Sequence, residues 1–190
     1  MATDRGLTLL ALARGAIAKR LGETAPPFES APWLREPGAA FVSLHLRGDL
    51  RGCIGTLVAK RSLEADVAAN ARAAAFHDPR FEPLTRREFQ SIEIEVSLLS
   101  PLEQIDFESQ AHLLTLLRPG RDGLVLEFEG FRATYLPQMW EQMPDPQVFL
   151  AHLKQKAGLP AEFWAEGGAI SRYSVTHWQE AGVPEGRRHG

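Results

Sequence analysis

The sequence predicts an α+β fold: a mainly antiparallel sheet flanked by helices. Three observations carry this. Short β segments come in pairs joined by tight turns, which makes neighbouring strands antiparallel. Helical segments fall between them without the regular strand–helix–strand alternation of a doubly wound sheet. One long segment, 91–99, alternates with the two-residue period of a half-buried strand.

The first element is a helix over Thr3–Leu21, with Leu7, Leu10, Ala11, Arg14, Ile17 and Leu21 at helical spacing and Thr3 or Asp4 as its N-cap. Residues 22–38 carry Pro26, Pro27, Pro32 and Pro37 beside Trp33 and Leu34, which predicts a packed connector without regular structure. Strands are expected at Ala40–Leu46 and Leu50–Leu57, turning at Arg47-Gly48-Asp49. Gly52 and Gly55 interrupt the second strand, and glycine inside a strand marks a bulge or the close approach of a ligand or backbone.

Ser62 is an N-cap for a helix over Leu63–Phe76, with Glu64 and Asp66 near its positive end. Pro79 pushes Asp78 out of helical geometry, so the helix stops near His77 and an Asp78-Pro79-Arg80-Phe81 turn follows. Thr85-Arg86-Arg87-Glu88 has the form of a capping box and opens a short helix. Ser91–Leu99 is a strand with Ile92, Ile94, Val96 and Leu98 on one face and Glu93, Glu95, Ser97 and Leu99 on the other. A helix around Glu108–Leu117 ends at Pro119-Gly120, and Gly123–Glu129 with Phe131–Leu136 form a hairpin turning at Glu129-Gly130. Asp145 and Pro146 start a helix over Pro146–Ala157 that Gly158 stops. A single last strand, Ala169–Trp178, precedes a Gly/Arg/His tail expected to be disordered.

Composition narrows the function classes. The 190 residues carry 21 Lys+Arg against 24 Asp+Glu, a net charge of −3, with 44% apolar residues, so the chain can bury a core as one domain and is not disordered as a whole. One cysteine excludes an internal disulfide, a CxxC redox pair and a thiolate zinc site, and no basic n-region with an apolar run opens the chain. A cytoplasmic protein that spans no membrane is expected. Residues 1–100 hold 13 basic and 12 acidic groups and residues 101–190 hold 8 and 12, so neither half is a nucleic-acid footprint. Only Arg35–Arg61 is locally basic, at +3, enough to hold an anion or simply to be a solvated loop.

The common catalytic motifs, GxSxG, GxxxxGK[ST], HExxH and GxGxxG, are absent. Histidines 45, 77, 112, 152, 177 and 189 are too scattered to form a local metal pair, and no metal or cofactor is expected. Cys53 is the residue of most chemical interest. On an extended strand Arg51 would share its side, and a cationic neighbour favours a thiolate; the alternative is a cysteine acting as a small buried hydrophobe. Arg51 beside Gly52 and Gly55 could receive a carboxylate or phosphate, or pair with Asp49, Glu93 or Glu95. Arg80 has the same two readings, and Glu95 and Ser97 could face a cleft or water.

Leu50-Arg51-Gly52-Cys53-Ile54-Gly55 resembles the hallmark of the AMMECR domain family, named for the AMME syndrome chromosomal region and called AmmeMemoRadiSam system protein A in prokaryotes. Further landmarks in the family order are Phe41–Leu44, Asp78–Leu84, Glu95–Leu99, Gly123-Leu124, Leu136-Pro137-Gln138 and Lys156–Leu159, so the likeness spans roughly 5–178. Met139 stands where the family usually has a smaller aliphatic residue, and no family role is carried onto His77. The resemblance implies one domain over 1–190, built of two unequal subdomains with a cleft between them beside the hallmark. It implies no established activity, but a shared pathway with Memo-type and radical-SAM companion proteins. On this basis Cys53 is the candidate nucleophile, and Arg51, Gly52, Gly55, Arg80, Glu95, Ser97 and Gln138 are the candidate substrate-binding residues. The competing expectation is a non-catalytic module that presents this surface to a companion protein, since no local base is evident to activate the thiol.

Overall fold

The computed structural model describes residues 5–164 and 168–181 of the chain. Among them are eight strands, five α-helices and two short 3-10 helices, arranged as two four-stranded sheets flanked by helices, an α+β fold as expected. The chain divides into two compact units, Met1–Leu99 with Thr176–Gly190, and Ser100–Val175.

In the first unit, α1 (Arg5–Leu21) and α2 (Leu63–Phe76) pack on each other and on one face of a sheet of order β2-β1-β3-β8, built from β1 (Ala40–Leu46), β2 (Asp49–Gly55), β3 (Ile92–Leu99) and β8 (Val175–Gln179). The N-cap expected at Thr3 or Asp4 lies outside the described residues. Leu9 and Ile17 of α1, Val67 of α2, Val42 and Leu44 of β1 and Ile94 of β3 are fully buried between the layers. The connector is irregular except for one 3-10 turn, Pro32–Arg35, which buries Leu34. Local signals hold where expected: the Ser62 hydroxyl accepts from Ala65 N, and Thr85 and Glu88 form the reciprocal box at α3 (Arg86–Phe89).

The buried Asp66 carboxylate gathers the ends of these elements. It accepts from Ala40 N at 2.9 Å, Thr56 Oγ1 at 2.8 Å, Arg61 Nε at 2.8 Å and Asn70 Nδ2 at 3.0 Å. A buried charge satisfied four times over is tolerable; the same charge unpaired would not be.

In the second unit the sheet order is β4-β7-β5-β6, from β4 (Glu103–Gln104), β5 (Gly123–Phe128), β6 (Phe131–Tyr135) and β7 (Ala169–Tyr173). With α4 (Gln110–Leu116) and α5 (Pro146–Lys156) it encloses a core around Leu113, Leu124, Phe149 and Leu153, with the Trp140 ring stacked on Phe149 at 3.8 Å. Gly123 pairs with Tyr173, whose ring lies where a Cβ on Gly123 would stand. A glycine opposite an aromatic ring is thus part of the packing.

Two expectations are corrected. The single strand expected over Ala169–Trp178 is two, β7 and β8, broken at Ser174 and belonging to different sheets. The alternation of β3 also lapses near its end, where Ser97 and Leu99 are buried beside Val96. β4 and the 3-10 turn Pro137–Glu141 were not anticipated, being too short to show a period. The tail expected to be disordered falls on 182–190, outside the described residues.

Candidate functional site

The hallmark segment is β2, an edge strand held in place by its hairpin partner and by a turn. Arg47 (φ 57°) and Gly48 (φ 86°) both adopt left-handed backbone, the two-residue turn whose twist suits a hairpin. The β1–β2 register slips at Leu44/His45: Gly52 pairs with Leu44 and Leu50 with His45, leaving Arg51 as the extra residue of a bulge. Gly52 abuts α2, because a Cβ there would lie 2.2 Å from the Ala74 carbonyl oxygen. Side chains alternate along a strand, so Cys53 stands on the far face of the sheet from the helices.

On that far face Ser43 is the register partner of both Cys53 on β2 and Glu95 on β3, which sets the three side chains in one row across the sheet. The Ser43 hydroxyl donates to the Cys53 sulfur at 3.2 Å, and Cys53 is half-buried. One step along β1, His45 Nε2 lies 3.8 Å from Glu95 Oε2 and is a buried nitrogen without a hydrogen bond among the described residues. Ser97, 6% exposed, donates to the other Glu95 oxygen at 3.3 Å. The next row pairs Gly55 with Phe41 and Phe41 with Ser97, and the Phe41 ring covers Gly55.

The outer edge of β2 is held by the turn after α2. The buried Asp78 carboxylate accepts the Cys53 N–H at 2.9 Å and is gripped by Arg80, Nε at 3.0 Å and Nη2 at 2.7 Å. Arg80 Nη2 also donates to the Cys53 carbonyl oxygen at 3.3 Å. The Arg80 hydrogen bond keeps the Asp78 carboxyl well below the usual carboxylate range, against the opposing effect of burial. The Arg80 pKa is raised, chiefly by its hydrogen bond to Asp78 and to a smaller degree by the charge of Cys53. The thiol therefore sits within electrostatic reach of a guanidinium that is 54% exposed and whose Nη1 makes no hydrogen bond among the described residues.

Arg51 is placed otherwise. Its side chain is 13% exposed and forks onto Glu88 of α3, Nε at 2.9 Å and Nη2 at 3.2 Å, not onto Asp49, Glu93 or Glu95. This pairing holds the Glu88 carboxyl down to about 2. Arg51 and Arg80 both face the Phe81 ring, at 5.8 Å and 5.4 Å from its centroid. Arg51 thus couples the bulge to the capping box of α3, its Nη1 buried and without a hydrogen bond among the described residues, and the exposed cation near the thiol is Arg80.

Of the residues singled out in the sequence, Cys53, Gly55, Glu95 and Ser97 share the far face, Gly52 lies against α2, and Arg51 and Arg80 join β2 to the segment after α2. Gln138 is exposed in the 3-10 turn of the second unit. Ser43 and His45 were missed, although the run Phe41, Ser43, His45 places two polar groups at strand spacing on the face opposite Val42 and Leu44. Asp78 and Glu88 were read only as a turn residue and a cap. Among the described residues no group of three or more His, Cys, Asp or Glu side chains is arranged to hold a metal, and no helix is long and apolar enough to cross a membrane.

The AMMECR1 family model matches residues 10–178. A protein of Thermofilum pendens is 35% identical over 182 residues, covering 88% of this chain and 85% of that protein. Protein MJ0810 of Methanocaldococcus jannaschii is 37% identical over 182 residues, covering 93% of this chain and 90% of its own. Among solved structures, uncharacterized protein PH0010 from Pyrococcus horikoshii superposes with a TM-score of 0.77 at 32% identity, covering 92% of this chain and 90% of the other. None of these names states an activity.

Proposed function

The chain belongs to the AMMECR1 family, and we propose that in this member the far face of the first sheet is a thiol site that binds an anionic substrate beside Cys53 and reacts with it. The observation that carries this is the setting of the sulfur: a hydroxyl donor from Ser43 at 3.2 Å on one side, and the exposed Arg80, reaching the Cys53 carbonyl oxygen at 3.3 Å, on the other. The hydroxyl donor orients the sulfur, and the fixed cation beside it can draw an anion to the same spot. Arg80 is exposed with its Nη1 left for a carboxylate or phosphate, whereas Arg51 is forked onto Glu88 and its remaining Nη1 is buried. His45, two residues beyond Ser43 on β1, and Glu95 on β3, two strands from the sulfur, stand 3.8 Å apart at the margin of this site.

Because Cys53 is the only cysteine, labelling reports it alone. The wild type is expected to react with a dianionic aromatic disulfide about tenfold faster, relative to a neutral dipyridyl disulfide, than free cysteine does. Arg80→Ala should abolish that preference for the anion, and Ser43→Ala should slow both probes. Equal preference in the protein and in free cysteine would remove Arg80 as anion anchor and, with unchanged rates in Ser43→Ala, the thiol site itself.

A second reading is favoured by one observation: Asp78 and Arg51, the charged groups nearest the hallmark, are consumed in internal pairs and shape the surface without leaving it reactive. The segment then serves as a docking surface for the Memo-type or radical-SAM companion proteins of an AmmeMemoRadiSam system. Co-purification with either companion, lost in Arg80→Ala but kept in Cys53→Ser, supports docking; loss in Cys53→Ser alone returns the weight to the thiol.

A further inference from the structure

We propose that the first unit carries a further ligand site on the helix side of its sheet: a groove between α1 and α2 that takes a medium-length aliphatic monocarboxylate, with Lys19 and Arg72 as its anion anchor. The groove has a volume of about 370 Å³, within the range of small-ligand sites. Helical spacing makes it. Leu12, Ala16 and Lys19 fall on one face of α1, and Glu64, Ala68 and Arg72, each four residues from the next, on one face of α2. Gly15, Ala16 and Ala68 are small, so a trough remains over the buried Leu12 that the helices' own side chains do not fill. The connector walls it on one side: Ala25 passes 3.5 Å from where a Cβ on Gly15 would stand, and Phe28, 37% exposed, adds an apolar ring.

The charges are sorted along this trough. Arg20, in the last turn of α1, lies 5.6 Å from the ring centroid of Phe76, the last residue of α2, so the two helices end together and Lys19 stands at the same end of the groove as Arg72. Both cations are exposed. Glu23, which also lines this end, faces Arg86 at 4.0 Å. Glu64 marks the other end, eight residues before Arg72 and so about 12 Å back along α2. An anionic head therefore meets an ammonium and a guanidinium at one end, and its tail crosses Ala16 and Ala68 towards Glu64. A saturated chain of about eight carbons has that length. A bare inorganic anion would leave the apolar floor in water, an uncharged chain would leave the two cations unused, and a second carboxylate at the tail would stand against Glu64.

The probes are octanoate, 1-octanol and octanedioate, titrated into the full chain and read by calorimetry and by the methyl resonances of isotopically labelled alanine. The wild type should bind octanoate about fivefold tighter than octanol, the gain two exposed cations give, and octanedioate more weakly than octanoate, with the Ala16 and Ala68 methyls moving. The double variant Lys19→Gln, Arg72→Gln changes only exposed side chains, so it should fold, lose the preference for octanoate and bind octanol as before. Glu64→Gln should bring octanedioate up to octanoate, and Ala68→Leu, which fills the floor, should weaken octanoate and octanol alike. Equal affinities for octanoate and octanol in the wild type, a preference that survives the double variant, shifts confined to other alanines, or no binding of any probe overturns the proposal. Binding to phosphatidylglycerol vesicles without uptake of soluble octanoate would make the groove a membrane contact and overturn it equally. Cys53 labelling, read in the same samples, is expected to be unaffected, since the thiol lies on the opposite face of the sheet and this groove does not depend on it.

Discussion

Gly52→Ala puts one methyl group against the backbone of α2. The new Cβ would start 2.2 Å from the Ala74 carbonyl oxygen and 3.1 Å from its carbonyl carbon, whereas ordinary contact begins at 3.4 Å, so strand and helix must part by about 1 Å. Neither side can yield by turning a rotamer, because both are main chain and Ala74 is buried. Inserting a methylene into a packed core costs about 1–3 kcal/mol, and a clash with backbone belongs at the upper end, about 3 kcal/mol. Gly48→Ala in the same hairpin is the control: nothing lies within 4 Å of its Cβ, and the cost there is that of holding alanine at φ 86°, about 1–2 kcal/mol. Amide hydrogen exchange resolved over β1, β2 and α2 reads the local opening free energy directly, which matters in a chain of two units where one global transition is not assured. Exchange should accelerate by about two orders of magnitude at the Cys53 amide in Gly52→Ala, since a displaced β2 loses its hydrogen bond to Asp78. If Gly52→Ala costs no more than Gly48→Ala, the close packing of β2 on α2 is not what requires a glycine at this position.

Two further outcomes are expected from titrating groups. Glu88 has its pKa lowered to about 2 in the folded chain, chiefly by Arg51, so folding favours its carboxylate: the stabilisation is complete above the ordinary value of 4.5 and is lost as pH falls towards 2. After allowance for solvent at this part-exposed pair it is about 1–2 kcal/mol; urea midpoints should fall across that window in the wild type and run flatter in Glu88→Gln, and parallel curves would show that the pair contributes nothing. Tyr173, one of two tyrosines, is pushed up to about 12 by burial, with hydrogen bonding to Thr134 acting against the rise. Folding favours its neutral form, so stability declines as pH rises from 10 towards 12; the full phenolate absorbance of both tyrosines appearing by pH 11 with the fold intact would contradict this.

What was legible in the sequence was what neighbours decide. Ser62 ahead of Leu63, Thr85 three residues before Glu88, Asp145 before Pro146 and the Arg47-Gly48 turn are bonds closed within four residues, and each stands where expected. The break at Ser174 was hidden because β7 and β8 continue one extended run, and what separates them is the sheet each joins. The site shows the same division. Gly52 announced a close approach, and the approach is to Ala74, far along the chain. Arg51 was read against Asp49, Glu93 or Glu95, but its partner is Glu88, 37 residues away and read only as a cap, and the Asp78 carboxylate on the Cys53 amide is 25 away. The bulge removed the simple i, i+2 relation between Arg51 and Cys53, and a bulge depends on the partner strand.

The route of the chain through its two sheets sets an order of events during synthesis. It leaves the first sheet at Leu99 and comes back to it in β8; at the junction Ser100 N donates to Ser174 O and Ser174 N to Ser100 Oγ, both at 2.9 Å. Residues 100–175 therefore emerge from the ribosome as an unbroken stretch that can fold on its own schedule, while the earlier-made part waits for its last strand. Until then Arg14 lacks the Glu180 carboxylate that lies 166 residues downstream, and β3 offers an unpaired edge to any other nascent chain. A chain ended at Ser174 would hold every strand of the second sheet and lack the last strand of the first.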